Sequence, residues 1–373
     1  MNIKSRDLKP ASGDTTCSGV TLATGDAPVV AMKVANESGD QGLDLPAPFV
    51  RIEVDPSSCH WMLDTELADL APEGPSEEQT LFVYRTGSRD PFQWTFEVYE
   101  ADLRIAWLLD ERSGERARLT MDRRNRTLHL VEEQAGGKWR NRVLRNIFAS
   151  WLVSDGWFPL HASSFKFEDT LFVCVGGRGA GKSTLSLLAG LQGGAFLSDD
   201  ITFLRPSRSS DHWDALGWPG RFAIRREVLK TCFGGDRTHE IEQSCRRGLT
   251  PDSGEHPRGA RLAMDNDEVE NLLGIRYSGI SSGDMRLVHL DSHDAEPVFG
   301  DWTSSKLDAG LEIQGRNRRH LVDFFGFYGG EDVANQPSKH KVFEVPIEEC
   351  QMRLPRDIVA CQSLVWEHFG RVR

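Results

Sequence analysis

The sequence predicts an α/β fold in which a β-rich N-terminal region precedes a mixed sheet with flanking helices. Three observations lead to this prediction. Short segments rich in β-branched and aromatic residues, separated by turn residues, occur over 48–135. An amphipathic helix pattern begins near residue 139. A glycine-rich loop then joins an apolar strand to a leucine-rich helix near residue 180. The 373 residues suffice for roughly two domains of about 150 residues each.

The composition changes along the chain suggest where the domains lie. We expect a loosely ordered lead-in over 1–47, because it is rich in Gly, Ser, Asp, Ala and Pro, with one strand near Val29–Val34. A mainly antiparallel, β-rich N-terminal domain follows over 48–138. The second domain spans 139–373 and carries a polar, irregular insertion over 205–270 with one short helix.

Composition and charge exclude several classes of function. The chain has 44 Lys+Arg and 56 Asp+Glu, a net charge of −12 and an isoelectric point near 5.4, which argues against general binding of nucleic acid. No apolar run approaches the ~20 residues of a membrane span, and the N-terminus has no apolar signal segment. The seven cysteines are scattered, without CxxC spacing. We therefore expect a cytoplasmic protein that contacts neither membrane nor nucleic acid.

Local patterns place secondary structure around the glycine-rich loop. Apolar residues at helical spacing over 139–154 predict an amphipathic helix. Leu160–Phe167 and Thr170–Val175, joined by Glu168 and Asp169, predict a β-hairpin that leads directly into the loop. Lys182–Leu191 predicts a helix, and Gly193 and Gly194 follow its end.

The loop itself fits the G-x-x-x-x-G-K-[ST] pattern of a phosphate loop. Glycines allow successive backbone N–H groups to turn towards phosphate oxygens, and the helix that follows adds its positive end. The lysine of the pattern reaches the β- and γ-phosphates, and the serine hydroxyl ligates Mg²⁺. The sequence thus predicts binding of ATP and Mg²⁺ by Gly176, Gly177, Arg178, Gly179, Ala180, Gly181, Lys182, Ser183 and Thr184.

Two acidic residues and a histidine accompany the loop. Asp199 and Asp200 end the strand predicted after the loop helix, so both carboxylates can approach one site. One of them can contribute to the Mg²⁺ shell, and the other can accept the proton of an attacking hydroxyl. His161 opens the hairpin, at a strand end that should lie on the phosphate side of the sheet.

The stretch from Leu160 to Asp200 resembles the catalytic core of bacterial HPr kinase/phosphorylase and its relatives. That core has a histidine that starts a hairpin, a GxxGxGKS loop, and a strand that ends in an Asp-Asp pair. Here His161 lies 15 residues before Gly176, and Asp199 lies 16 after Ser183. A related core occurs in phosphoenolpyruvate carboxykinase. The resemblance implies an HPr-kinase-like P-loop core.

Roles of individual residues follow from this resemblance. It implies that Asp199 supports Mg²⁺ through its water shell and that Asp200, with His161 nearby, is the base towards a substrate hydroxyl. Lys182 is the third predicted catalytic residue, beside Asp200 and His161. Gly315-Arg316-Asn317 is similar to a GRN stretch of the family, so Arg316 is a candidate phosphate or substrate contact. Because hexamers occur in the family, the resemblance also allows a homo-oligomer.

The leading hypothesis is an ATP- and Mg²⁺-dependent kinase that phosphorylates a hydroxyl, most simply a serine or threonine of a peptide or protein. Three alternatives remain open. The same core could phosphorylate a small molecule such as an amino acid or a natural-product intermediate. A non-catalytic, nucleotide-sensing interaction protein would keep the loop but would not need a base. A carboxykinase would need further metal and oxaloacetate ligands, which the sequence does not show.

Overall fold

The computed structural model describes about two thirds of the chain, in segments separated by gaps. The described residues are 17–22, 30–34, 49–54, 59–70, 82–85, 92–98, 102–134, 138–177, 179–208, 210–218, 221–246, 249–250, 260–291, 298–308, 342–355 and 357–369. They form a mixed α/β structure with two large sheets, one small sheet and six helices.

The N-terminal part is a nine-stranded sheet with the order β3-β1-β2-β4-β9-β8-β7-β6-β5. All of its pairs are antiparallel except β2–β4 and β4–β9, which are parallel. Its strands are β1 (Cys17–Leu22), β2 (Val30–Val34), β3 (Phe49–Val54), β4 (Trp61–Leu67), β5 (Phe82–Arg85), β6 (Phe92–Val98), β7 (Leu103–Asp110), β8 (Arg116–Asp122) and β9 (Thr127–Glu132).

Alternation of apolar and polar residues explains why this sheet has one buried face. In β8, Ala117, Leu119 and Met121 are fully buried while the intervening residues are half-buried. The range 1–47, expected to hold one strand, contributes two. Its first strand, β1, pairs with both β2 and β3, and this long-range pairing orders a segment whose composition resembles a linker.

Helix α1 (Lys138–Ser154) joins the N-terminal sheet to the rest of the molecule. Its apolar face, including Val143, Ile147 and Phe148, belongs to one core cluster with Leu119 and Leu130 of the sheet. The same cluster contains Phe203 and Trp218 from the second half of the chain. The N-terminal sheet and the second sheet therefore share a hydrophobic core.

The second half of the chain builds a mixed, ten-stranded sheet and a small three-stranded sheet. In chain order its elements are β10 (Phe158–Leu160), β11 (Ser163–Phe167), β12 (Thr170–Gly176), α2 (Lys182–Leu191), β13 (Ala195–Ser198), β14 (Thr202–Pro206), β15 (Trp213–Gly217), β16 (Phe222–Arg225), α3 (Arg226–Phe233), α4 (Gly235–Ser244), β17 (Leu249–Thr250), β18 (Arg261–Met264), α5 (Asn266–Leu273), β19 (Ile280–Leu290), β20 (Val298–Phe299), β21 (Thr303–Asp308), β22 (Val342–Arg353) and α6 (Ile358–Phe369).

The centre of the large sheet is formed by β12, β19 and β22. These three strands are mutually parallel, in the order β12-β19-β22. The other neighbour of β12 is β11, which runs antiparallel to it and pairs on its far side with β13. The carboxyl ends of the three parallel strands, the start of β11 and the end of β13 thus meet at one edge of the sheet.

Each face of this sheet has its own core. Phe172, Cys174 and Val288 pack against α2 and α6 on one face. Leu171, Val173 and Leu287, which alternate with them, pack on the other face with residues of β10, β14 and β15. Because apolar residues cover both faces, the strands read as continuous apolar runs.

The range 205–270 is more regular than its polar sequence suggested. Trp213–Gly217 forms β15 between β14 and β19 in the large sheet. The rest of the range supplies the small sheet β16-β18-β17 and the helices α3, α4 and most of α5. Leu229, Leu262 and Met264 bury one face of this unit against Phe196 and Leu187, so long-range burial orders the segment. In the described part of the chain, no helix is long and apolar enough to cross a bilayer.

Candidate active site

The predicted phosphate loop connects the end of β12 to the start of α2. Gly179 has φ 85° and Gly181 has φ 103°, values in the left-handed region that only glycine adopts at little cost. Between them lies Ala180, which is buried and donates its N–H to the carbonyl of Gly177 at 3.2 Å. Arg178 lies outside the described residues. The glycines of the pattern thus permit a tight turn directly before the helix.

Gly176 is fixed by a close backbone approach from the neighbouring strand. It pairs with Leu290 in the parallel β12–β19 ladder, and a Cβ atom at Gly176 would lie 2.4 Å from the carbonyl oxygen of Leu290. Real Cβ atoms do not approach a backbone oxygen so closely. Glycine at this position therefore allows β12 to pair with β19 up to the first residue of the loop.

Replacement of Gly176 by alanine is expected to destabilise the protein by roughly 1–3 kcal/mol or more, because the backbone must shift to relieve the overlap. Replacement of Gly177 is the matched control, since a Cβ atom there has no neighbour within 4 Å. Urea unfolding of both variants measures the difference. Equal stability of the two variants would contradict the described geometry of the loop.

The first turn of α2 carries Lys182, Ser183 and Thr184, all half-buried. The first turn contains no acidic residue, and no described side chain caps its N–H groups. The positive end of the helix dipole therefore faces the loop, and among the described residues no side chain caps it. Such a terminus is suited to an anion, in particular a phosphate.

The ammonium group of Lys182 lies inside the loop. Its Nζ donates hydrogen bonds to the carbonyl oxygens of Gly176 at 2.7 Å and Gly177 at 3.3 Å. Burial lowers the pKa of Lys182, while the nearby carboxylates of Asp199 and Asp200 act in the opposite direction. The side chain is thus a partly desolvated cation, which interacts strongly with any anion that enters the loop.

Asp199 follows β13 and faces the start of α2. Its Oδ2 accepts a hydrogen bond from the backbone N–H of Ala223 at 3.2 Å. Its Oδ1 is buried, and no described donor of acceptable geometry reaches it. Burial raises the pKa of Asp199 to about 6, although the nearby Ser183 hydroxyl and the Ala223 N–H lower it. A buried carboxylate oxygen without a partner is costly unless a ligand or metal satisfies it.

Asp199→Asn is expected to stabilise the protein in Mg²⁺-free buffer at pH 8. The folded-state pKa of about 6 lies above the reference value of 3.8, so the folded state binds more protons between these values and stability falls as the pH rises through them. Asparagine avoids this loss, which amounts to at most about 3 kcal/mol. Urea unfolding from pH 4 to 8 should show an advantage of the variant that grows above pH 4 and levels off above pH 6.

The matched control for this measurement is Asp169→Asn, in the exposed hairpin turn between β11 and β12. Because this side chain is fully exposed, the substitution should leave the stability at pH 8 close to that of the parent protein. If Asp199→Asn were less stable than the parent protein at pH 8, the carboxylate would be better satisfied in the folded state than its surroundings indicate.

The side chains of Asp200 and His161 lie in contact beside this carboxylate. The Nε2 atom of His161 lies 3.1 Å from Oδ1 of Asp200, and the Asp200 side chain is 56% exposed. His161 follows β10 and lies two residues before β11, while Asp200 follows β13. Since β11 pairs with both β12 and β13, these two side chains meet at the edge of the sheet that carries the loop.

The donor set fits a magnesium ion shared with phosphates. Among the described residues, no cluster of three or more His, Cys, Asp or Glu side chains could hold a metal alone. Mg²⁺ typically binds one or two carboxylates together with phosphate oxygens and water. Ser183 and the unsatisfied Oδ1 of Asp199 provide such a partial set next to the loop.

The structure thus brings most of the predicted site residues to one edge, and Arg316 lies outside the described residues. Sequence reasoning missed Ala223, whose N–H holds Asp199. No side-chain signal could have revealed it, because the contact uses backbone and depends on the position of β16.

Comparisons with known proteins add little to this geometry. No protein-family model matches the chain, and no curated protein matches it. Among solved structures, the Hpr(Ser) kinase/phosphatase from Coxiella burnetii is 13% identical and aligns with 57% of this chain and 90% of its own, with a TM-score of 0.29. A TM-score this low does not establish a shared fold.

Proposed function

We propose that this protein is an ATP- and Mg²⁺-dependent kinase that transfers the γ-phosphate to a hydroxyl of serine or threonine in a peptide or protein. One observation carries the proposal. A glycine loop with a partly desolvated lysine, a buried carboxylate whose Oδ1 has no partner among the described residues, and an exposed aspartate paired with histidine all converge at one sheet edge.

Each of these groups has a role in the proposed reaction. The acceptor hydroxyl gives its proton to Asp200 while its oxygen bonds to the γ-phosphorus, and the bond to the bridging oxygen breaks to release ADP. Lys182 and the N–H groups of α2 stabilise the negative charge on the phosphates. Mg²⁺ held by Ser183 and Asp199 would supply charge neutralisation between the phosphate groups.

We further propose that residues 160–200 form a phosphate-loop core of the HPr-kinase type. The order of elements supports this: a hairpin preceded by His161 leads into the loop, and the strand that follows the loop helix ends directly before Asp199.

The proposal is tested by mass spectrometry of acceptors after incubation with ATP, Mg²⁺ and the protein. One set of acceptors is a library of serine- and threonine-containing peptides, and the other comprises free amino acids and amino alcohols. A mass gain of one phosphoryl group that requires both ATP and Mg²⁺ is the expected result. Nucleotide binding without transfer to either set would instead favour a nucleotide-sensing protein.

A small-molecule acceptor is the second candidate, because two observations favour it. A cavity of about 470 Å³ lies at the carboxyl ends of β19 and β22, within the size range of small-molecule sites. Trp213 and Trp218, which could have formed an exposed aromatic groove for a peptide, are instead buried in the core.

A further inference from the structure

An exposed arginine, Arg221, lies beside the proposed base. On one side of it in the chain, Trp218 donates its backbone N–H to the carbonyl oxygen of Ile201 at 2.9 Å. On the other side, Ala223 donates its backbone N–H to Oδ2 of Asp199 at 3.2 Å. Arg221 thus lies between the two donors, and the proposed base lies between the two acceptors. The backbone therefore places Arg221 at the edge of the sheet that carries the loop.

Packing contacts on both sides of Arg221 fix its position. A Cβ atom at Gly217 would overlap the carbonyl oxygen of Leu197 in β13, so the glycine permits a close approach of the two backbones. Phe222 is buried against Phe196 of β13, with the ring centroids 5.1 Å apart. These contacts hold Arg221 against the strand that leads into the acidic pair.

Burial along β16 shows which residues share a face of the small sheet. Phe222 and Ile224 belong to the core cluster on one face, whereas Ala223 and Arg225 are half-buried. Because side chains alternate along a strand, Ala223 and Arg225 lie on the opposite face, which Arg221 continues. The two arginines each lie roughly 7 Å along the chain from Ala223, the residue that contacts the proposed metal ligand.

A third arginine belongs to this face. Arg225 pairs directly with Arg261 of β18, and both are half-buried. Leu262 and Met264 pack in the core on the other side of the small sheet, so Arg261 lies on the same face as Arg225. Like charges directly opposite each other destabilise a sheet, and a local cost of this kind is typical of functional positions. We call Arg221, Arg225 and Arg261 the arginine face.

The arginine face is distinct from the groups that hold the nucleotide in the proposed reaction. Lys182 lies inside the loop, where its Nζ bonds to the carbonyl oxygen of Gly176. Asp199 separates the two regions, since its carboxylate interacts with Ser183 of α2 on one side and with Ala223 of β16 on the other. On a protein of net charge −12, a local concentration of arginines attracts anions that the rest of the surface repels.

The carboxylate that follows β18 is engaged elsewhere. Asp265 lies 3.8 Å from the guanidinium of Arg246, and its side chain takes part in the capping box at the start of α5. Its charge is therefore shared with these groups, and the arginine face keeps its positive character.

We propose that the arginine face binds a carboxylate of the phosphoryl acceptor while the acceptor hydroxyl lies at Asp200. This inference rests on the proposed kinase function and specifies its substrate class. A guanidinium binds a carboxylate through two parallel hydrogen bonds, and carboxylates are the anions of unmodified peptides and amino acids. Arg221 makes the direct contact, and Arg225 and Arg261 add attraction.

The position of Arg221 next to Asp200 limits where the carboxylate can be. A distance of roughly 7 Å corresponds to about two residues of extended chain. The carboxylate is therefore the side chain of an aspartate or glutamate within about two residues of the phosphorylated serine or threonine, or the C-terminal carboxylate of an acceptor that ends there.

The first test compares acceptors that differ only in charge. One set of peptides carries aspartate or asparagine at one or two residues from the serine, and the other ends in serine as a free carboxylate or as an amide. The protein should prefer the carboxylate form in at least one set by about tenfold in kcat/KM. The preference should fall to near one in Arg221→Gln, and Arg221→Glu should favour the neutral acceptors.

The matched control is Arg208→Gln, which removes the charge of an arginine that is 59% exposed and pairs with Asp155. It should keep the preference. Equal phosphorylation of charged and neutral acceptors by the parent protein would overturn the inference and leave the kinase proposal intact, as would a preference that persists in Arg221→Gln. A loss in Arg221→Gln that is equal for both forms would also overturn it, because the arginine would then act on the transferred phosphoryl group.

A binding measurement tests the arginine face without relying on transfer. Calorimetric titration compares the same peptide pairs in the absence of nucleotide. The carboxylate form that is preferred should bind about tenfold more tightly than its neutral partner, and Arg221→Gln should abolish the difference. Equal binding, or a difference unchanged in that variant, would overturn the inference. Selective binding without phosphorylation of any acceptor would instead support the carboxylate site and overturn the kinase proposal.

Discussion

Asp200→Asn is expected to lower the rate of phosphoryl transfer by about 10²–10⁴-fold, the usual contribution of a positioned general base. Asparagine is nearly isosteric and can keep the contact with His161, whose Nε2 lies 3.1 Å from Oδ1 of Asp200. It cannot take the proton of the acceptor hydroxyl. Single-turnover transfer of labelled γ-phosphate measures the chemical step, and calorimetry should show that ATP binds the variant almost as tightly as the parent.

The control for this variant is Asp169→Asn, which alters an exposed carboxylate in the β11–β12 turn and should leave the rate unchanged. His161→Ala should cause a smaller loss than Asp200→Asn, since the imidazole acts through the aspartate and not on the hydroxyl. Full transfer by Asp200→Asn would mean that another group accepts the proton.

Lys182→Ala is expected to lower kcat/KM by about 10²–10³-fold, comparable to the loss of one preorganised donor to a developing charge. In the structure, its Nζ donates hydrogen bonds to the carbonyl oxygens of Gly176 and Gly177. These bonds hold the ammonium group inside the loop, where a phosphate would bind. Its burial, which lowers its pKa, also strengthens its interaction with an anion. The loss should appear in both ATP affinity and the transfer rate.

Lys230→Ala is the matched lysine control. Lys230 lies on α3, is 40% exposed, and pairs with Glu227 at 3.5 Å within the same helix, a contact that contributes little at the surface. The Lys230→Ala variant should have the same kcat/KM for phosphoryl transfer as the parent protein. Unchanged kcat/KM in Lys182→Ala, with the control also unchanged, would show that the loop does not hold the transferred phosphate.

Local sequence patterns predicted the elements that form the loop. The hairpin turn, the loop and the helix Lys182–Leu191 match the structure because their determinants lie within a few residues: glycines at left-handed positions, a short turn and a helical repeat of leucines. The first strand of the hairpin was predicted from Leu160 but begins at Ser163, because Leu160 belongs to β10 and pairs with β14. The structure also brings His161 to Asp200, an arrangement that the resemblance implied and that pattern reasoning alone left open.

Features that depend on distant pairing were not predictable. Strand β15 reads as part of a polar loop until β14 and β19 bury Trp213 and Leu216. The cavity at the ends of β19 and β22 has the same origin, because His289 and Glu349, which line it, are 60 residues apart in the chain. Only the parallel pairing of β19 with β22 brings them together, and sequence periodicity does not encode which strands become neighbours.

Calorimetric titration with a non-hydrolysable ATP analogue, with and without Mg²⁺, tests the central claim most directly. The claim is that the end of β12, the start of α2 and the Asp199–Asp200 pair form one centre for Mg²⁺ and ATP. The account predicts binding that tightens with Mg²⁺, loses this Mg²⁺ dependence in Asp199→Asn and weakens strongly in Lys182→Ala. No binding to the parent protein, or equal binding to all three proteins with and without Mg²⁺, would contradict it.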